Sequence, residues 1–578
     1  LCAAPDGRHA RLCDAPGDGW RLTVYRAGFT TPAWFRTGVM YQIFPDRFAR
    51  DSSATAQRGM EHHRRMGQTV HCHAGWDEPV EWQANTPEGE YAPVDFYGGT
   101  LRGIADRLHY LQKLGVTVLY LNPIFESASN HRYDTGDYRK VDPILGTNAD
   151  FKKLCAAAAD CGIRIVLDGV FAHTGADSRY FNRFRHYPGC GAYNSRSSVY
   201  ARWYSFAHYP DDYKCWWDFK DLPAVNAANS DWRKYMITGA RSIVKTWLRD
   251  GASGWRLDVA DELPDDVLRG MRSAAKETDP DSVLLGEVWE DAVTKVSYGE
   301  RRQYALGDAL DSVMNYPLRD GLVAFLTGRS TAHALADLLL SQRLNYPRPL
   351  YYALMNLTAS HDVARTRSAL ALDFDPRSRT RAELAALEIT DAMAARGAQL
   401  QVLAAAVQFW LPGIPSIYYG DETGMQGLCD PFNRAPLQMC DTQMLQWYAQ
   451  LTALRHAHPA LTHGEVAVFA PAGDVLCVLR VIADGRDAFG EEAEDEALLL
   501  IVNRAAHPVR CHVELTCPGA GLCEETRLAF VRSEYDCAAD CTDDTHIAIR
   551  DGVGAFDLPP HAAKIYRLEN RHGTETGS

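Results

Sequence analysis

Four short apolar runs in this chain end in charged side chains that can act on a polar, uncharged substrate. One closes Arg164-Ile-Val-Leu-Asp168 and continues to His173; a second reads Gly254-Trp-Arg256-Leu-Asp258-Val-Ala-Asp-Glu262. A third reads Leu-Leu-Gly-Glu287-Val-Trp289, and a fourth ends Ser360-His361-Asp362-Val-Ala-Arg365. Arg256 and Asp258 are two apart, so on an extended strand both point to the same side. A guanidinium beside a carboxyl lowers its pKa and keeps it ionised, as a nucleophile requires. Glu287, set between Leu-Leu-Gly and Val-Trp, sits in partly apolar surroundings that raise a carboxyl pKa and suit a general acid. Two carboxylates perturbed in opposite directions are the equipment of a glycoside hydrolase, and neighbouring strands can hold them the ~5 Å apart that a retaining mechanism uses. Asp362 adds a carboxylate able to grip sugar hydroxyls, His173 and His361 add donors to the same hydroxyls, and Asp168 is placed to orient Arg256. A lone Asp at a strand end is more often a cap or loop residue. Four acidic strand ends, three of them with an adjacent Arg or His, make coincidence a poor explanation.

These residues need strands that converge at one end. Apolar runs at 39–44, 116–121, 164–168, 254–258, 283–287, 312–314, 354–360 and 414–419 are mostly followed by stretches with helical spacing, such as 104–114 and 242–248. Eight strand-then-helix units predict an α/β fold, a (β/α)8 TIM barrel whose strand C-termini share one face. Two insertions interrupt it, at 51–95 and, rich in aromatics, after the third strand at 174–229. Past residue 459 the pattern changes to alternating strands without helices, for example 475–481 and 497–502, which predicts a C-terminal antiparallel β-sandwich over 459–570. The organisation expected is therefore a barrel over 33–458 carrying the 174–229 insertion, the sandwich, and a polar, disordered tail at 571–578. Residues 1–32, with one short strand at 20–25, read as the remnant of a further β-sandwich domain.

The chain has 578 residues, of which 46% are hydrophobic and 23% charged, enough for a large core and too apolar for disorder. A net charge of −14 argues against nucleic acid and anionic membranes as partners. No apolar stretch reaches the length of a transmembrane helix, and the first thirty residues lack the pattern of a signal peptide. Fifteen cysteines match no zinc spacing and read as reduced, mostly buried thiols of a cytoplasmic protein.

The blocks Asp168-Gly-Val-Phe-Ala-His173, Gly254-Trp-Arg-Leu-Asp-Val-Ala-Asp-Glu262, Gly286-Glu-Val-Trp289 and Ser360-His-Asp362 resemble, in order and spacing, the conserved regions of the α-amylase family of glycoside hydrolases (family 13). Tyr41-Gln-Ile-Phe-Pro-Asp-Arg47, Asn130-His-Arg-Tyr-Asp-Thr135, Pro415-Ser-Ile-Tyr-Tyr-Gly-Asp-Glu422 and Asp430-Pro-Phe-Asn-Arg434 match as well, in the manner of the neopullulanase, cyclomaltodextrinase and maltogenic amylase branch. The resemblance implies Asp258 as nucleophile, Glu287 as acid/base and Asp362 as transition-state stabiliser. It implies that Arg256, Asp168, His173, His361 and Arg365 support the reacting sugar, that Tyr133 stacks on it, and that Trp289 and Glu262 shape the acceptor side. A packing role competes for Tyr133, Trp289, Trp216 and Trp217, and a solvent-exposed role for Glu262. No cofactor is implied. Calcium, common in the family, lacks its oxygen ligands: Ala172 stands where an Asn is usual, and the loop after Phe48 reads Ala-Arg-Asp-Ser-Ser-Ala. Asp261 likewise replaces a usual Asn. The branch often dimerises through a complete N-terminal sandwich, whereas here only residues 1–32 precede the barrel. The expected activity is retaining hydrolysis of α-1,4 bonds in cyclodextrins, maltooligosaccharides or pullulan. A transglycosylating enzyme and a non-catalytic glycan-binding protein are the rivals.

Overall fold

In the computed structural model, which describes residues 2–3, 10–11, 22–86, 89–515, 526–529, 547–548 and 553–570, each of the eight apolar runs forms a strand. They are β1 (Met40–Ile43), β2 (Val118–Leu121), β3 (Arg164–Gly169), β4 (Gly254–Leu257), β5 (Val283–Gly286), β6 (Ser312–Val313), β7 (Met355–Leu357) and β8 (Ile414–Tyr418). All pairs are parallel, in the order β6-β5-β4-β3-β2-β1-β8-β7. A parallel bridge between Met314 and Met355 joins β6 to β7 and closes the ring. Side chains alternate as the period of two demands. Met40, Val118, Tyr120, Val166, Val283, Leu285, Met355 and Ile414 fill the barrel interior. Tyr41, Leu119, Leu121, Ile165, Leu167, Trp255 and Leu284 face outward to the helices.

The helices begin where their caps say they should. Thr147 and Asp150 form a capping box at the head of the helix Asn148–Asp160, satisfying two orphan backbone donors. Thr390 caps the 20-residue helix Asp391–Trp410, whose buried Gln408 donates to Asn356 O and Ser416 O and so ties β7 to β8. The expected 104–114 helix is split at Arg107 into Leu101–Asp106 and Leu108–Lys113.

The 174–229 insertion is mostly irregular, packed by aromatic stacking such as Tyr180 on Trp203 (5.3 Å) and Phe181 on Phe206 (5.9 Å). C-terminal to the barrel, β9 (Glu465–Ala472), β10 (Val475–Ile482), β11 (Glu496–Asn503), β12 (Val509–Glu514), β13 (Thr526–Ala529), β14 (Ile547–Ala548), β15 (Val553–Leu558) and β16 (Ala562–Asn570) are antiparallel. Six of them run in the order β9-β10-β11-β16-β13-β14, and β12 pairs with β15. Wholly buried Arg480 on β10 docks this unit on the barrel by donating to Trp410 O, Leu461 O and Gly464 O.

Two expectations need correction. Residues 22–26 form no strand. Leu22 and Val24 are exposed, and the segment is held through Thr23 Oγ1 to Asn345 O and Arg26 N to Leu306 O. Trp20, Arg21 and the tail at 571–578 lie outside the described residues. The thiols are also less uniformly buried than expected, since Cys72, Cys190 and Cys440 are exposed; they and Cys155, Cys161, Cys215, Cys429, Cys477 and Cys511 are free.

Candidate active site

Strand register places the carboxylates. Arg256 on β4 pairs across the ladder with Asp168 on β3 and with Leu285 on β5, so Arg256, Asp168 and, two residues past Leu285, Glu287 all point to the barrel interior. Asp258, two past Arg256, shares that side. The four meet at the Arg256 guanidinium, which is wholly buried. Nη1 donates to Asp168 Oδ1 (2.9 Å), Asp168 Oδ2 (3.1 Å) and Asp258 Oδ1 (3.0 Å), and Nη2 stands 2.8 Å from Glu287 Oε2. Bridging by neighbouring nitrogens of one planar group suits the ~5–5.5 Å carboxyl spacing of a retaining pair. Glu287 is held further by Val259 N at Oε2 (2.8 Å) and Trp289 Nε1 at Oε1 (3.1 Å). The backbone at Val259 turns left-handed (φ 37°), a strained conformation for a β-branched residue that aims its N–H at that carboxylate.

The opposite wall is built from β1, β2 and β7. Tyr133 donates to Asp168 Oδ2 (2.8 Å) and lies 2.6 Å from His361 Nε2, with its ring parallel to the imidazole at 5.2 Å. Gln42 holds His361 Nδ1 from the other side (2.9 Å). His361 Nε2 also lies 3.2 Å from Asp362 Oδ2, which Tyr316 reaches at 3.4 Å. Arg434, paired with Asp430 (2.8 Å), approaches Asp362 Oδ1 at 4.0 Å. His173 contacts Tyr133 O through Nε2 (3.2 Å) and packs against Trp216. Its buried Nδ1 has no protein partner.

The structure therefore brings Asp168, Arg256, Asp258, Glu287, Asp362, His361, Tyr133, His173 and Trp289 together. Two other expected residues have different partners. Arg365 is wholly buried and reaches Tyr419 O and Asp421, stiffening the turn after β8. Glu262 is fixed by Tyr298. Trp289 is half-buried and stacks face to face on Tyr316 (3.9 Å, 5°), and Trp217 is 75% exposed, so insertion-core packing is not its role. Sequence reasoning did not single out Tyr120, Asn122 and Tyr316, which complete the network: Tyr120 donates to Asp168 (2.6 Å) and Asn122 to Tyr133 (2.9 Å). The signal was strand parity, since Tyr120 and Asn122 follow Val118 at steps of two.

Burial sets the electrostatics. It pushes the Asp258 carboxyl well above its ordinary range, opposed by Arg256 and reinforced by Glu287 and Asp168. That corrects the expectation of a depressed pKa: one guanidinium shared among three carboxylates does not offset desolvation. Asp168 is raised by burial too, against Arg256 and the Tyr120 and Tyr133 hydroxyls. Burial, aided by Glu287, pushes Asp362 up to about 7. Burial lowers His173 to about 4 and, with Arg434 and Arg256, holds His361 well below the ordinary imidazole value, so both imidazoles are neutral donor/acceptors near pH 7. A carboxyl raised in the folded state contributes stability that is complete below its unfolded pKa and lost as pH rises through about 7. Asp362→Asn removes that loss. Its thermal midpoint should exceed that of the wild type at pH 8, by the equivalent of about 1–2 kcal/mol because a quarter of the side chain stays open to solvent, and the gap should narrow toward pH 5. Equal gaps at both pH values would contradict the assignment.

The Ala172 side chain offers no oxygen to a cation, and among the described residues no group of three or more His, Cys, Asp or Glu is arranged to hold a metal ion. No helix of the described residues is long and apolar enough to cross a membrane.

Comparison with known proteins adds to this geometry. The family profile "Alpha amylase, catalytic domain" matches residues 42–439. An amylopullulanase of Thermoanaerobacterium saccharolyticum is 35% identical over 552 residues, covering 88% of this chain but 41% of that protein. The chain thus spans less than half the length of that relative. A cyclomaltodextrinase of Geobacillus thermopakistaniensis is 31% identical, covering 82% of this chain and 70% of its own. The type III pullulan hydrolase from Thermococcus kodakarensis superposes with a TM-score of 0.71 at 26% identity, over 94% of this chain and 83% of that one. With a profile match over residues 42–439 and a relative 31% identical over four-fifths of its length, this chain belongs to the α-amylase family of glycoside hydrolases.

Proposed function

We propose that this chain is a retaining α-glucan hydrolase acting on α-1,4-glucosidic bonds in maltooligosaccharides, cyclodextrins or pullulan. The observation that carries the reading is the single buried guanidinium of Arg256 bridging Asp168, Asp258 and Glu287. Burial raises the Asp258, Asp168 and Asp362 carboxyls around that cation, and the acid step consumes one proton carried by Glu287. Glu287 gives it to the glycosidic oxygen while an Asp258 oxygen attacks the anomeric carbon. The C–O bond breaks with its electron pair leaving on the departing sugar, and a glycosyl ester on Asp258 remains. Glu287, now ionised, takes a proton from water, whose oxygen attacks the same carbon and releases Asp258. Two inversions give retention. Asp362, with neutral His361 and His173, holds the sugar hydroxyls, and Tyr133 stacks on the ring.

The names of the relatives, amylopullulanase and cyclomaltodextrinase, support the substrate class. The exposed free thiols favour a reducing, cytoplasmic setting. A second reading, transfer to a sugar acceptor rather than water, is favoured by the half-buried Trp289 that stacks on Tyr316 and holds Glu287. Digests of β-cyclodextrin, pullulan and starch distinguish them. Maltose and glucose as the main products point to hydrolysis, and longer oligosaccharides than the substrate point to transfer. Absence of turnover on all three and on maltooligosaccharides would sink both.

A further inference from the structure

Glu287 marks where the leaving group must go. The reacting sugar sits over Asp258, Asp362, His361 and Tyr133, so the sugar that departs lies beyond Glu287, on the side of Val259 and Trp289 that holds its carboxylate. Two segments rise from the barrel face there. One is the short turn Ala260–Glu262 following the nucleophile. The other follows Trp289 and contains a two-stranded hairpin, Val296–Ser297 paired with Glu300–Arg301.

The second segment is fastened to the first along its whole length. Lys295 pairs with Asp261 (2.9 Å), so the carboxylate is matched by a cation supplied from the hairpin. Arg302 donates to Asp261 O (2.8 Å), to Leu263 O and to Asp265 (3.0 Å), and Tyr304 donates to Asp261. Those contacts are at least partly buried and account for the docking. Tyr298 is different. It stands at the hairpin tip, left-handed (φ 53°) and followed by Gly299 (φ 80°), with 76% of its surface exposed. Yet its hydroxyl is fixed between both oxygens of Glu262, at 2.7 and 2.6 Å. The two-residue hairpin turn requires the left-handed backbone of Tyr298 and Gly299, but it does not explain the exposed ring, since a tyrosine kept for packing buries its ring.

We propose that the 295–304 segment is the acceptor-side wall of the cleft, in which Tyr298 is a positioning residue that orients Glu262 toward the leaving or incoming glucan and offers it an aromatic face. The hydroxyl's single proton is shared between the two Glu262 oxygens, whose remaining lone pairs are left for sugar hydroxyls, while the ring suits the apolar face of a pyranose. The inference rests on the α-glucan hydrolase reading above.

The test compares two substrates that need this wall unequally. A maltooligosaccharide places sugars on the acceptor side, whereas α-maltosyl fluoride leaves only fluoride there. For Tyr298→Phe, which loses the hydroxyl alone, the ratio of kcat/KM on maltotetraose to that on the fluoride should fall about threefold to tenfold. For Tyr298→Ala it should fall about tenfold or more, with KM for maltotetraose taking most of the change, and transfer to added glucose should fall relative to hydrolysis. Equal losses on both substrates would mean a purely structural tyrosine, and unchanged ratios in both variants would mean no role; either overturns the proposal. If the wild type turns over neither substrate, the hydrolase reading itself has failed.

Discussion

Asp258→Asn should lower kcat/KM on maltooligosaccharides by at least about 10⁴-fold, because no other group in the cleft is placed to form the glycosyl ester. Asp168 is wholly engaged by Arg256, Tyr120 and Tyr133, and Asp362 faces His361 and Tyr316. The substitution should not unfold the protein. Burial and neighbouring carboxylates push the Asp258 carboxyl up, so the folded state bears a cost for ionising it that the amide does not incur. The variant's thermal midpoint at pH 8 should therefore match or exceed that of the wild type. Loss of activity with lowered stability would point instead to a structural role. With azide as a small external nucleophile, the residual reaction on α-maltosyl fluoride should give the inverted, β-configured azide, since one displacement replaces two.

Glu287→Gln should behave differently. On maltooligosaccharides, whose leaving alkoxide needs a proton, the loss should be about 10²–10⁴-fold. On α-maltosyl fluoride the first step needs no acid and should survive, while hydrolysis of the glycosyl ester stalls for want of a base. Azide needs no deprotonation, so it should restore turnover and give the α-configured azide. The opposite anomers from the two variants assign nucleophile and acid/base independently of how much activity each has lost. Equal losses on both substrates, with no azide product, would contradict the role given to Glu287.

The barrel was legible because each of its strands is a short apolar run with its own punctuation, and the two-residue spacing of Arg256 and Asp258 by itself puts both on one side of their strand. Strand parity would also have found Tyr120 and Asn122. Other parts depend on contacts far apart in the chain. Gln42 meets His361 across 319 positions, and no local pattern announces it. Arg365 sits three residues from Asp362, yet its helix begins there and carries the side chain to the turn at Tyr419 and Asp421. The direction of the Asp258 shift was misread for a related reason. The adjacent arginine is visible in sequence, whereas burial and the three-way sharing of that arginine are tertiary facts. Residues 22–25 alternate like a strand, but a strand forms only where an edge accepts it.

The most direct test of the central claim uses Glu287→Gln with α-maltosyl fluoride and no azide, followed by peptide mass spectrometry after an acid quench. The stalled intermediate should appear as a single maltosyl unit attached to the peptide containing Asp258. A maltosyl adduct on any other residue, or turnover with inversion and no adduct at all, would contradict the retaining mechanism assigned to this site.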